Sequence, residues 1–216
     1  NFLEFYSREK DKKESKNEKI ETSTPQDLID EGFSLIENEI KTELLEKYQA
    51  KKIVLYAPTF SPSLTTASFL IQEFKQLSKN KDYLVLVKFH DLMSVDLIEV
   101  YKQLAKENNN IIFEEERNII KFLLIADVMI SDTSSVVYEF LLLDKPVITF
   151  KCSSKNIQWD NSIEYSKLEE KISANLEKDI FKKQRQQIVS EYHPYIDGNS
   201  ALRMVETVES YINKNG

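Results

Sequence analysis

The sequence predicts an α/β domain: a parallel sheet with helices on both faces, followed by carboxyl-terminal helices. Two observations carry this. Short apolar runs recur between residues 53 and 150 with little polar alternation, as strands do when helices cover both faces of a sheet. Helical stretches separate those runs, the alternation that builds a layered α/β domain.

The elements follow in order. Residues 7–19, SREKDKKESKNEK, are almost wholly polar and read as a solvated helix or a mobile linker. TSTPQ (22–26) is a turn, with Pro25 biasing Thr24 to extended geometry. A helix is expected over 27–49, interrupted near Gly32, because Leu35, Ile36, Ile40, Leu44 and Leu45 recur at three- and four-residue steps. IVLYA (53–57) is the first strand, stopped by Pro58. Ser63 reads as the cap of a helix running to Ser78. YLVLVKF (83–89) is the second strand, 96–106 a helix, and NIIF (110–113) the third strand. Residues 118–125 read as a helix, VMIS (128–131) as the fourth strand, a helix starts near Ser134, and PVITF (146–150) is the fifth strand. The tail is helical over 164–178, 180–191 and, after an Asp197-Gly198 turn, 199–213.

Composition narrows the function. With 216 residues, 41% hydrophobic and 30% charged, the chain can bury one good core. Its net charge of -7 provides no global basic field for nucleic acid. No apolar run is long enough to span a bilayer. The single Cys152 rules out an internal disulfide framework and suits a reducing cytosol. One cysteine and two histidines argue against a structural zinc site. The chain starts with Asn1 rather than Met, as a piece of something longer would. Its three glycines form neither GxGxxG nor GxxxxGK, so any phosphate site must be built another way.

In an open parallel sheet, ligands bind beyond the carboxyl ends of the strands. That rule places Pro58, Thr59, Phe60 and Ser61, then His90 and Asp91, then Glu114 and Glu115, then Asp132-Thr133-Ser134-Ser135, then Lys151, Cys152 and Ser153 along one edge. The glycine-free DTSS turn opens a helix, where amide donors lack intrahelical partners and the dipole is positive. A phosphate or diphosphate fits there, with the hydroxyls of Thr133, Ser134 and Ser135 as further donors. The same turn fits a plain cap by Asp132 or Thr133 equally well. Asp132 would repel phosphate and is better suited to shaping the turn than to touching a ligand.

Glu139 lies seven residues beyond Asp132, about one turn past Ser135, where a carboxylate can accept from ribose hydroxyls or simply face solvent. His90 ends the second strand and shares a side with Lys88. It can donate to a phosphate, protonate a leaving group, or serve as a structural histidine. His193, before Pro194, reads as structural. DGNSALR (197–203) is a turn and helix start, either a simple cap by Asn199 or Ser200 or an anion site with Arg203 as charged partner.

Taken together and in order, KKIVLYAPTF (51–60), VLVKFH (85–90), ADVMISDTSSVVYEFLLLDKPVITF (126–150) and DGNSALR (197–203) resemble the CDP-glycerol glycerophosphotransferase family of teichoic-acid and capsule polymerases. The resemblance covers about residues 50–213, and the region up to TSTPQDL looks like that family's crossover between its halves. It implies the two-lobed GT-B architecture, with residues 1–50 as polar linker and crossover helices and 51–216 as the Rossmann-like, nucleotide-binding carboxyl-terminal lobe with its helical tail.

The resemblance further implies a donor CDP-alcohol, such as CDP-glycerol, and no cofactor or metal. The donor's diphosphate would be held by Thr133, Ser134, Ser135 and His90, with His90 in the catalytic role. Glu139 falls on an acidic nucleotide-side position, Ser200 and Arg203 on late small-polar and arginine positions, and Pro58 and Thr59 in the strand-one loop. An acceptor hydroxyl would attack the donor's β-phosphorus and release CMP. The polysaccharide or lipid-linked acceptor would bind an amino-terminal lobe lying outside this sequence, leaving the chain inactive alone. The implied setting is cytoplasmic, at the inner face of the cell membrane. Two departures stand out: His90 is followed by Asp91 where the family often has proline, and the segment after strand five is short and glycine-poor. Two other readings stay open, a GT-B lobe using a UDP- or CMP-sugar and a non-catalytic α/β module.

Overall fold

The computed structural model of the chain describes residues 39–195 and 199–215. The polar run, the TSTPQ turn, the front of the 27–49 helix and the Asp197-Gly198 turn lie outside the described residues. Helix α1 (Lys41–Tyr48) leads into strand β1 (Lys52–Tyr56), followed by α2 (Ile71–Leu77), β2 (Tyr83–Lys88), α3 (Val95–Glu107), β3 (Ile111–Glu114) and α4 (Ile120–Ile125). Then come β4 (Val128–Ser131), α5 (Val136–Leu141), β5 (Val147–Phe150), β6 (Asp160–Ser162), a 3-10 turn at Tyr165–Lys167, α6 (Leu168–Lys178), α7 (Lys182–Tyr192) and α8 (Ser200–Asn215).

The strands form one sheet in the order β3-β2-β1-β4-β5-β6, every neighbouring pair parallel. From β1 the chain walks outward through β2 and β3; from β4 it walks the other way through β5 and β6. The β1/β4 boundary is therefore the topological switch point, where an open α/β sheet leaves a crevice.

Strand side chains alternate between two cores. Val54, Tyr56, Val85, Val87, Val128 and Ile130 face one layer, filled by Phe74 and Leu77 of α2, Tyr101 and Leu104 of α3, and Leu168 and Ile172 of α6. Ile53, Leu55, Leu84, Leu86 and Met129 face the other, filled by Phe122 to Ile125 of α4, Val137, Phe140 and Leu141 of α5, and Ile188 of α7. Burial on both faces is why the strands read as unbroken apolar runs. Asp127 ties the amino-terminal edge together: its carboxylate accepts from the Ile53 amide at 2.8 Å, Lys41 Nζ at 2.9 Å and Lys52 Nζ at 3.3 Å.

Two elements depart from expectation. The helix expected from Ser63 starts only at Ile71, because Thr65 and Thr66 turn inward and are buried. The preceding turn is closed by the Ser61 carbonyl, which accepts from the Leu64 and Thr65 amides, and the Ser63 hydroxyl caps nothing. Strand β6 was not anticipated. Its residues are polar, and they stay in the sheet because Asp160 is held by Lys171 and Asn175 of α6 at 2.9 and 2.8 Å. Trp159 beside it donates to Thr149 Oγ1 at 2.9 Å.

With so few glycines, left-handed positions fall to Gln49, Asp144, Lys151, Asn156 and Asp179. Buried Arg185 of α7 organises two of them. It donates to the Asp144 carboxylate and carbonyl at 3.0 and 2.9 Å and to both Asp179 oxygens at 2.8 Å. Helix α8 is largely exposed, Leu202, Val205, Val208 and Ile212 included. Among the described residues, no helix is long and apolar enough to cross a membrane.

Candidate functional site

The crevice at the switch point is built from the loops that follow β1, β2, β3 and β4. Past β1, the Ala57 amide donates to the Ile130 carbonyl at 3.0 Å, and Ser131 Oγ returns a bond to the Ala57 carbonyl at 2.7 Å. Strand β1 thus stays clamped to β4 one residue beyond its own end.

Asp132 then governs the β1 loop. It is fully buried, yet it does not cap α5. One carboxylate oxygen accepts from the Thr59 amide at 2.8 Å; the other accepts from the Thr66 amide and hydroxyl at 2.9 and 3.0 Å. Burial pushes this carboxyl above its ordinary value, and the three hydrogen bonds oppose that rise. Of the two readings of the DTSS turn, the plain cap by Asp132 or Thr133 is corrected here. Asp132 is occupied with the strand-one loop. Thr133 Oγ1 accepts from the Ser153 amide at 3.0 Å, holding the β5 loop. The helix instead begins after Ser135, whose side chain makes no capping bond. The structure therefore separates four residues that the sequence presents as one group: Asp132 and Thr133 support neighbouring loops, while Ser134 and Ser135 line a cavity.

That cavity, about 330 Å³, is lined by Ala57 and Pro58, by Lys88 at the end of β2 and Phe89 to Asp91 after it, by Arg117 and Ile119 after β3, and by Ser134, Ser135, Val136 and Glu139 on the α5 side. His90, Ser134, Ser135, Glu139 and Pro58 are thus brought together. Thr59, Thr133, Ser200 and Arg203 do not line it. Arg203 lies on α8 with its guanidinium over the Tyr195 ring, 4.1 Å from the centroid. A second cavity of about 310 Å³ continues the groove toward β3 and shares Lys88, Phe89, His90, Asp91 and Arg117 with the first.

His90 is exposed, and its ring packs on Phe60 with centroids 4.6 Å apart. Its Nδ1 accepts from the Leu92 amide at 3.1 Å, which assigns the proton of the neutral ring to Nε2. The second nitrogen is therefore a donor. Lys88 is buried, its ammonium donates to the Phe89 carbonyl at 2.6 Å, and desolvation holds its pKa below the usual lysine value. Across the β2–β3 pairing, burial raises the carboxyl of Glu114, its register partner. Arg117, 3.5 Å from Asp91 through Nε and Oδ2, was missed by sequence reasoning. The available signal was its place: the arginine that ends the acidic stretch Glu114-Glu115-Glu116, just past the carboxyl end of a parallel strand.

The same arrangement of sheet and helices occurs in solved structures. The wall teichoic acid polymerase TagF, as a variant soaked with CDPG, superposes with a TM-score of 0.57 at 20% identity, over 82% of this chain and 46% of that one. A UDP co-structure of MnaA from S. aureus gives 0.58 at 15%, over 79% and 48%. The carboxyl-terminal domain of a group 1 glycosyl transferase from Francisella tularensis gives 0.52 at 13%, over 76% of this chain and 98% of that domain. A chain that matches about half of two longer chains and nearly all of an isolated carboxyl-terminal domain has the fold of one GT-B lobe.

Sequence comparison takes the second step. The profile of the family described as CDP-Glycerol:Poly(glycerophosphate) glycerophosphotransferase matches residues 16–158, and the chain belongs to that family. Among curated relatives, a teichoic acid glycerol-phosphate primase of Bacillus spizizenii is 34% identical over 128 residues, 57% of this chain and 32% of that protein. A primase of the same description from Bacillus subtilis is 25% identical over 190 residues, 82% of this chain and 48% of that protein. The chain thus spans from about a third to about half of these relatives' length.

Proposed function

We propose that this chain is the donor-binding lobe of a transferase that moves a polyol phosphate, glycerol phosphate in the first instance, from a CDP-alcohol to an acceptor hydroxyl in the synthesis of teichoic acid or a capsular polymer. One observation carries the reading: His90, Ser134, Ser135 and Glu139 share a single cavity at the sheet's switch point. Family membership supplies the chemistry that such a cavity would serve.

In this reading the donor's diphosphate lies against the hydroxyls of Ser134 and Ser135 and the amides that follow Ser134, whose own amide donates to the Asp132 carbonyl at 3.0 Å. Glu139, farther along the same wall, accepts from ribose hydroxyls. The acceptor oxygen forms a bond to the β-phosphorus, the bond from that phosphorus to the bridging oxygen breaks, and CMP departs with the electron pair. His90, donating through Nε2, stabilises the charge that grows on the departing phosphate. The acceptor's proton goes to a base outside this lobe. The lobe contributes position and electrostatics. The same reading places the reaction in the cytoplasm at the membrane's inner face, which fractionation of cells would test.

Calorimetric titration with CDP-glycerol, CDP, CMP and UDP-N-acetylglucosamine decides the matter. Saturable binding that prefers CDP-glycerol supports the proposal. Preference for the UDP-sugar replaces it with a sugar-transferring lobe. Absence of binding to all four, repeated on the full-length protein, overturns it.

A further inference from the structure

Four ionisable side chains besides His90 line the cavity: Lys88, Arg117, Asp91 and Glu139. Lys88 has its ammonium committed to the Phe89 carbonyl, and desolvation weakens its charged form. If Arg117 is set aside, one compromised lysine faces two carboxylates, a poor lining for a multiply charged diphosphate. Arg117 reverses that balance. Its side chain is 90% exposed, it stands where the two cavities meet, and its ion pair with Asp91 is long, at 3.5 Å. Exposed pairs of this kind contribute little and give way easily. A guanidinium keeps its charge at all relevant pH values and offers a planar fork suited to phosphate oxygens.

We propose that Arg117 is the cation that neutralises the donor's diphosphate, and that Asp91 holds it aside until the donor competes for it. This rests on the donor-lobe reading above. Asp91 is thereby a negative element: it costs donor affinity because the Arg117 contact must be exchanged for the new one. The opposite signs expected for the two residues separate this role from a structural one.

The test is titration of CDP-glycerol into the protein and its Arg117→Gln, Arg117→Lys, Asp91→Asn and doubly substituted forms, with unfolding midpoints measured alongside. Arg117→Gln is expected to weaken binding by about tenfold or more, the usual size for loss of a charge-assisted contact. Arg117→Lys recovers part of that loss. Asp91→Asn tightens binding, and the gain disappears when Arg117 is also replaced. Midpoints stay unchanged, since both side chains are exposed. Arg117→Gln binding within about twofold of the parent overturns the assignment of Arg117. Weaker binding in Asp91→Asn overturns the restraint assigned to Asp91. If the parent binds a UDP-sugar instead and Arg117→Gln loses that ligand, the donor identity fails while the role of Arg117 stands. If the parent binds no nucleotide, both proposals fall.

Discussion

The Phe60 ring lies against the His90 imidazole, centroids 4.6 Å apart and planes inclined by 34°. This contact links the two halves of the crevice. Asp132, at the end of β4, holds the Thr59 amide; the next residue, Phe60, leans on the histidine that ends β2. With the Leu92 amide fixing Nδ1, the imidazole is oriented from two sides. Replacing Phe60 by alanine should therefore disturb His90 more than it disturbs the fold. In the full-length protein carrying out the proposed reaction, kcat is expected to fall by about tenfold, as when a catalytic group loses its alignment. Because Phe60 is 39% exposed, the unfolding midpoint moves by no more than about 2 °C. Nitrogen NMR of the His90 ring reports the same event without turnover: its signals move away from a pure Nε2–H tautomer. An unchanged ring spectrum would show that Phe60 does not position it.

Asp132→Asn tests the buried carboxylate. Asparagine keeps the shape but presents an NH₂ group to at least one of the Thr59 and Thr66 amides, so a donor meets a donor. A loss of about 1–3 kcal/mol is expected, the cost of leaving buried polar groups unsatisfied. The pH dependence has a definite sign. Burial raises the Asp132 carboxyl above its unfolded value, so the folded state binds its proton more tightly. The Asp132 contribution therefore improves as pH falls through the folded pKa toward the unfolded one, and the asparagine variant lacks it. Denaturant unfolding at several pH values should show the gap between the two proteins widening on acidification. A gap that narrows would contradict the raised carboxyl.

Arg185 is 1% exposed by side chain and bridges Asp144 and Asp179, both in left-handed backbone. Removing it leaves two carboxylates facing each other across the α5–β5 turn and the α6–α7 turn. Arg185→Leu is expected to destabilise the domain by about 2–4 kcal/mol, toward the lower part of the range for breaking a buried pair because both aspartates are partly exposed. Thermal unfolding measures it. Nucleotide affinity should survive, since none of the three lines the cavity.

How much of this was legible in the sequence depends on the range of the interaction. Strands β1 to β5 stood out because burial on both faces leaves unbroken apolar runs such as YLVLVKF. The rule that ligands gather beyond strand ends then placed His90 and the DTSS turn on one edge. Interactions between distant segments were not legible. Nothing local announces that Asp132 reaches back to Thr59 and Thr66, so the start of α2 was misplaced and the turn was open to a capping reading. Strand β6 escaped notice because DNS carries no strand signal; its place depends on Asp160 meeting α6. Arg117 escaped because the strand-end rule took only the two residues that follow the expected third strand, Glu114 and Glu115, and nothing local shows that the chain returns to the crevice at Arg117.

The three hydroxyls of Thr133, Ser134 and Ser135 can now be told apart by experiment. Thr133 Oγ1 accepts from the Ser153 amide at 3.0 Å and faces Ser153 Oγ at 3.3 Å, so it supports the β5 loop. Ser134 and Ser135 face the cavity. Thr133→Val, which removes the acceptor and keeps the bulk, should cost about 1 kcal/mol of stability, the usual net value of one such bond. Its effect on nucleotide affinity should be secondary. Ser134→Ala and Ser135→Ala should leave the unfolding midpoint in place and weaken CDP-glycerol binding about threefold to tenfold each, the size expected for one hydroxyl contact to a phosphate. Unfolding scans and titrations on the same three variants give the answer together. If Thr133→Val instead shows the affinity loss at full stability, the diphosphate lies on the β5 side of the turn rather than in the cavity beside His90.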